Sequence, residues 1–198
     1  MDGQNSITDK QSDILAAALQ AFAAQGYRRT SMDDIARHAG MSRPALYLHY
    51  RNKEDIFRSL VDQFFAQALR GMGAALATPG QSPEQALAAA FAAKDGTLME
   101  LVFTSPHGAE LLEAGASLTA DIMQRGEAAK IALLTRWLQT LDIPADIGPP
   151  EAVARTILTA AMGLKYPGQT LEGYRQGQRH LARLFARAIA NHGVEPTA

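Results

Sequence analysis

Cysteine is absent from the 198 residues. That excludes a disulfide framework, a cysteine-ligated zinc finger and any thiol nucleophile. No apolar run approaches the roughly 20 residues that span a bilayer, so no membrane partner is expected. Residues 1–6 are polar and lack the basic-then-apolar order of a secretory leader, so the expected location is the cytoplasm. An excess of one charge is missing too, the formal net charge being −1. Residues 1–53 carry seven Lys and Arg against five Asp and Glu, a net +2, and the remainder nets −3. A modestly basic head on an acidic body is compatible with nucleic-acid binding without establishing it. No Ser/His/Asp arrangement, Gly-rich phosphate loop or paired-carboxylate motif stands out, so neither catalysis nor a cofactor is expected.

What is present is helical. Hydrophobic residues make up 47%, enough for a packed globular core. Apolar residues recur at the period of a helix, and strand alternation is nearly absent. The pattern predicts helices at 9–25, 31–39, 42–50, 53–76, 84–103, 107–114, 118–141, 151–166 and 171–192, hence an all-α protein of about nine helices. Thr8 with Gln11 has capping-box spacing, and Gly26 sits where a left-handed C-terminal cap is wanted. The expected division is a three-helix head at 1–53 and a larger helical domain at 54–198.

Residues 30–53 carry the function. Two short helices joined by a three-residue turn must cross closely and steeply. Ala36 supplies the small residue at the crossing, Gly40 tolerates positive φ in the turn, and Ile35, Met41 and Leu46 lock the second helix from inside. Ser31 and Ser42 take the two N-cap positions. These are the demands of a helix-turn-helix. On its outward face, Arg43 suits a bidentate contact to guanine, and Pro44 and Ala45 suit a thymine methyl. Tyr47 and His49 are expected at phosphates, as is Lys53 at the start of the next helix, with Ser31 on the other side. Leu48 either touches a methyl group or packs inside.

The run from Ala39 to Glu54, Ala-Gly-Met-Ser-Arg-Pro-Ala-Leu-Tyr-Leu-His-Tyr-Arg-Asn-Lys-Glu, resembles the signature of TetR-family transcriptional regulators, as do Phe22, Gly26, Thr30, Ile35 and Ala36 before it. Met41 and Tyr50 stand where Val and Phe are usual. The resemblance implies a repressor that binds a pseudo-palindromic double-stranded operator as a homodimer and leaves it when an unidentified small molecule binds the larger domain. A ligand-independent activator, an architectural DNA binder and a helical enzyme are the alternatives.

Beyond residue 54 the sequence speaks less clearly. Met99, Phe103, Met123, Trp137, Met162 and Tyr166 are candidates for an adaptable pocket wall, although a core needs such residues in any case. Lys165, beside Tyr166 at a helix end, suits an anionic ligand, although a solvated terminal lysine is the plainer reading. In the family the last two helices make an intersubunit bundle, which assigns Val153, Ile157, Ala160 and Leu164 on one, and Leu181, Leu184, Phe185 and Ala188 on the other, to a dimer interface. His107, Glu110 and Glu113 fall on neighbouring helical turns. A metal centre needs more ligands than this one set, so no metal is expected.

Overall fold

The computed structural model describes the backbone of residues 3–166 and 169–190, and the side chains at 10–95, 98–166 and 169–189. These residues form nine α-helices and no strand: α1 (Gly3–Gln25), α2 (Met32–His38), α3 (Arg43–Tyr47), α4 (Lys53–Leu76), α5 (Pro83–Thr104), α6 (Gly108–Leu118), α7 (Ala120–Leu138), α8 (Pro150–Gly163) and α9 (Leu171–Ala190). Several ends depart from expectation: α6 runs on to Leu118, α7 stops at Leu138 and α8 at Gly163, against the expected 114, 141 and 166. The first helix begins at Gly3, so Thr8 lies within it and is not its cap. α3 stops at Tyr47 because Tyr50 turns into the core, where it is 9% exposed, while Asn52 caps α4 by accepting from Asp55 N at 2.8 Å.

Two compact units emerge, one comprising Met1–Phe64 with Thr97–Gln124, the other Phe65–Gly96 with Arg125–Ala198. The first unit recruits a segment from beyond residue 53. The physical reason lies in α6, whose Leu111 and Ala114 join Ile14, Phe22, Ile35, Leu46 and Ile56 in a single buried cluster. Burying one such large side chain contributes about 1.5–3 kcal/mol. Phe22, Tyr27 and Phe57 add a ring trio with centroids 5.0–5.7 Å apart. Polar contacts fasten the same junction. Ser105 Oγ donates to Ala23 O at 2.7 Å, and Arg28 N donates to the Glu110 carboxylate at 2.7 Å. The Arg28 guanidinium pairs with Glu113 at 3.1 Å, and His107 Nδ1 lies 3.6 Å from Glu110. The two carboxylates singled out in the sequence therefore hold α6 to the loop after α1, and the imidazole stands beside Glu110.

The second unit is built around Met72, Leu87, Phe91, Leu134, Leu138 and Ile157. α8 packs on α9 here. Val153 and Ile157 are 6% and 0% exposed within the single chain and belong to its core cluster. Ala160, Leu164, Leu181, Phe185 and Ala188 are half-buried, and Leu184 is 63% exposed.

Inside this unit sits a buried polar cluster. Asp95 accepts from Lys94 Nζ at 2.7 Å, from Gln178 Nε2 at 2.6 Å and from the Tyr174 hydroxyl, and its other oxygen lies 3.0 Å from Lys165 Nζ. Lys94, Asp95, Tyr174 and Gln178 are all buried. Lys165 is thus an ion-pair partner and not a free terminal lysine. Burial holds the Lys94 ammonium down to about 8, with Lys165 and Lys130 pushing the same way against the pull of Asp95. Burial opposes ionisation of Asp95 too, but the two lysines and its hydrogen bonds outweigh it and hold the carboxyl below its usual range.

Candidate nucleic-acid interface

The helix-turn-helix forms by capping at each of its joints. Ser31 Oγ accepts from Asp34 N at 3.2 Å, and the Asp34 carboxylate accepts in return from Ser31 N at 3.0 Å and Ser31 Oγ at 2.6 Å. These bonds also hold the Asp34 carboxyl below its ordinary range. α2 ends on Gly40, φ +63°, where Met41 N bonds Ala36 O at 3.0 Å and Gly40 N bonds Arg37 O at 3.2 Å. That closes the last carbonyls of the helix and turns the chain sharply. Ser42 Oγ then accepts from Ala45 N at 3.3 Å and starts α3, with Pro44 in its first turn. Ile35 and Ala36 are buried beneath, and Leu46 is completely buried.

Gly40 offers a clean test of the turn. A Cβ there would meet nothing within 4 Å, so only the left-handed backbone resists substitution. Gly40→Ala is expected to lower stability by about 1 kcal/mol, and Gly40→Asn by less, because asparagine tolerates that conformation. Urea midpoints at unchanged slope are the measurement. Two equal losses would mean that the strain is not conformational.

The outward side chains of α3 share one exposed face. Arg43 and Pro44 are exposed at its start, Tyr47 is 43% exposed, and Leu48 at its end is 85% exposed. Leu48 is therefore presented and not packed, which resolves the alternative left open by the sequence. The Arg43 guanidinium lies 5.6 Å from the Tyr47 ring centre and 3.2 Å from the Asp33 carboxylate on α2. Hydrogen bonding to Tyr47 and the charge of Asp33 both raise its pKa, so it is fully cationic. Ala45 and His49 are half-buried, behind this face. Ser42 is exposed at the N-cap.

Two expected phosphate ligands have other duties. Ser31 is exposed, but its hydroxyl proton goes to Asp34. Lys53 Nζ donates to three carbonyl oxygens, Tyr27 O and Arg28 O at 2.9 Å and Thr30 O at 3.0 Å, and lies 4.8 Å from the Tyr27 ring centre. Three protons meet three acceptors, so this ammonium ties α4 to the loop before α2. The Asp33–Arg43 pair was also missed. Asp33 and Arg43 stand ten positions apart, too far for helical spacing to signal, and only the closed turn brings them together.

The candidate pocket residues divide evenly. Met99, Phe103 and Met123 lie in the first unit, Met99 buried at 4% exposure; Trp137, Met162 and Tyr166 lie in the second, the last two exposed. No cluster of three or more His, Asp or Glu side chains able to hold a metal occurs among the described residues. No described helix is long and apolar enough to cross a membrane.

With this geometry in hand, comparison with known proteins is informative. Residues 14–60 match the family model for bacterial regulatory proteins of the tetR family. The chain is 28% identical over 130 residues to the HTH-type transcriptional regulator EthR of Mycolicibacterium smegmatis, covering 64% of this chain and 60% of that relative. It therefore spans about three fifths of EthR's length. Among solved structures, SmeT, the repressor of the Stenotrophomonas maltophilia multidrug efflux pump SmeDEF, superposes with a TM-score of 0.68 at 18% identity over 95% of this chain and 94% of SmeT. The SmeT–triclosan complex superposes at 0.64, with 18% identity over 96% of each chain. At such identity the likeness shows a shared fold.

Proposed function

We propose that the chain, whose residues 14–60 match the tetR family of bacterial regulatory proteins, regulates transcription by seating α3 in the major groove of an operator and leaving it when a small molecule binds elsewhere in the chain. The observation that carries this is the exposed face of α3: Leu48 at its C-cap stands unburied, as do Arg43 and Tyr47, while Leu46 anchors the helix from inside. An 85%-exposed leucine is poorly explained by packing and well explained by contact with base edges. In this reading residues 1–53 are the DNA-binding head and 54–198 the ligand-binding and dimerisation part. Arg43 reads guanine, Pro44 and Leu48 touch thymine methyls, and Tyr47 with Ser42 reaches phosphates.

A homodimer is the natural partner arrangement. Two recognition helices about 34–36 Å apart enter successive major grooves of a pseudo-palindrome. The exposed Leu184 and the half-buried Leu181, Phe185 and Ala188 of α9, with Ala160 and Leu164 from α8 onward, support a second copy docking on that side. The chain passes between its two units inside α4, α5 and α7, so these helices are the covalent routes by which ligand occupancy reaches the head. The structure of SmeT with triclosan supports a small-molecule effector by analogy. Met99, Phe103 and Met123 within the first unit, and Trp137, Met162 and Tyr166 within the second, remain separate proposed candidates for contact. A ligand shifts DNA occupancy only by its differential affinity for the two conformers.

Selection from a random duplex library, followed by anisotropy titration, tests the proposal. A palindromic consensus, two chains per duplex and a steep salt dependence are expected. Failure to enrich any sequence, with no binding at low salt, would overturn it. Arg43→Ala is expected to lose about 1–3 kcal/mol on the selected duplex and to relax preference at one base pair per half-site. Equal loss on every sequence would reduce Arg43 to a phosphate contact.

A further inference from the structure

Asp33 places a carboxylate at the edge of the surface proposed to meet DNA, where a polyanion makes it costly. Its neighbour Asp34 is accounted for by the capping box with Ser31 and by Arg37 at 3.2 Å. Asp33 has no such duty. Its carboxylate stands 3.2 Å from Arg43 Nη1, with side-chain exposures of 52% and 58%, and the same guanidinium lies over Tyr47. The one arginine at the start of the recognition helix is thus held by a carboxylate and an aromatic ring on an open face.

We propose that Asp33 is a specificity-setting residue, a positioning residue that acts through Arg43. The inference rests on the DNA-binding reading above. A lone phosphate contact offers Arg43 little, because leaving Asp33 strands a carboxylate among phosphates of the same charge. A guanine presenting O6 and N7 takes both arms of the guanidinium and replaces what is given up. The carboxylate therefore penalises binding to indifferent DNA more than binding to the operator, which is discrimination by repulsion of the wrong partner. The pair is exposed, so its own strength is modest and exchange is quick. Tyr47 keeps the guanidinium near its working place in either state.

The test compares the duplex selected by the wild-type protein with a scrambled duplex of the same composition, by anisotropy at two salt concentrations. Asp33→Asn is expected to tighten scrambled-duplex binding roughly five-fold, to leave the selected duplex within about two-fold, and to steepen the salt slope on scrambled DNA. Asp33→Glu is expected to keep most of the wild-type preference. In the Arg43→Ala background, Asp33→Asn should no longer alter the preference. Equal tightening on both duplexes, or an unchanged effect without Arg43, would show a general charge effect and overturn the inference while leaving DNA binding intact. A wild-type protein that prefers no duplex would overturn the functional reading itself, and this inference with it.

Discussion

Asp95→Ala is expected to lower the stability of the protein by about 3–5 kcal/mol at neutral pH, the range for removing one partner from a buried charge set. A typical domain has only about 5–15 kcal/mol in hand, so most of its margin is at stake. The reason is arithmetic of charge in a dry place. One carboxylate accepts from Lys94, Gln178 and Tyr174 and faces Lys165, and with it gone two ammonium groups confront one another. Lys94 is 3% exposed and has no water to turn to. Neutralising Lys94 limits the damage, and its pKa has already fallen to about 8.

The same cluster fixes the pH response. Lys94 has a folded pKa of about 8 against 10.5 for the ordinary side chain. Between these values the unfolded chain holds more protons, so stability rises with pH across that window, and the penalty for the buried charge is complete below it. Asp95 runs the other way: its folded pKa is depressed, so its contribution is present above the ordinary carboxylate range and fades as pH falls through the folded value. Urea unfolding should therefore give a wild type more stable at pH 9 than at pH 7 by about 1 kcal/mol, a rise that Lys94→Met abolishes. Lys94→Met alone should stay within about 1 kcal/mol of wild type, since Asp95 keeps Lys165, Tyr174 and Gln178. Combined with Asp95→Leu, it should recover most of the loss seen in Asp95→Ala. A stability for Asp95→Ala within error of wild type would mean that water reaches the cluster and that the charges are not stranded.

What the sequence disclosed and what it hid follow one physical division. Elements set by local chemistry were legible: the glycines at positive φ, the serine caps, and the apolar period that places Ile14, Phe22, Ile35 and Leu46 in one core. Those requirements act over a few residues and leave their mark in spacing. Elements set by distant partners were not. Arg28 meets Glu113, and Lys94 meets Tyr174, across more than a third of the chain. A faint signal did exist for the cluster, because Tyr174 and Gln178 occupy the helical face of α9 that continues as Ala182, Ala186 and Ile189. Polar residues on an apolar stripe ask for buried partners, and Lys94-Asp95 interrupts the apolar stretch of α5 in a complementary way. The dimer face stays a proposal for the opposite reason. Val153 and Ile157 share the period of Ala160 and Leu164, and periodicity cannot say which turn of an amphipathic helix meets its own chain first.

Lys53→Met should act on stability and not as the loss of one DNA contact. The ammonium donates to Tyr27 O, Arg28 O and Thr30 O, and removing it leaves three carbonyls to find water at a half-buried joint. A hydrogen bond from a charged donor contributes about 1.5–3 kcal/mol when its partner is left bare, and solvent access discounts that sum, so a loss of about 2–3 kcal/mol is expected. A phosphate-binding lysine behaves differently. Its removal leaves stability alone, weakens all sequences alike and lowers the salt slope by about one. Urea midpoints and salt titrations on the selected duplex separate the two cases. The expected outcome is a lower midpoint with an unchanged slope. Intact stability with a reduced slope would return Lys53 to the DNA and show that its three carbonyl bonds yield to phosphate on binding. The distinction reaches beyond one side chain, because the carbonyls belong to the loop that Glu110 and Glu113 also hold. If Lys53 is structural, the start of α4 and the base of α6 clamp the same loop, and the head that carries Arg43 is oriented from both.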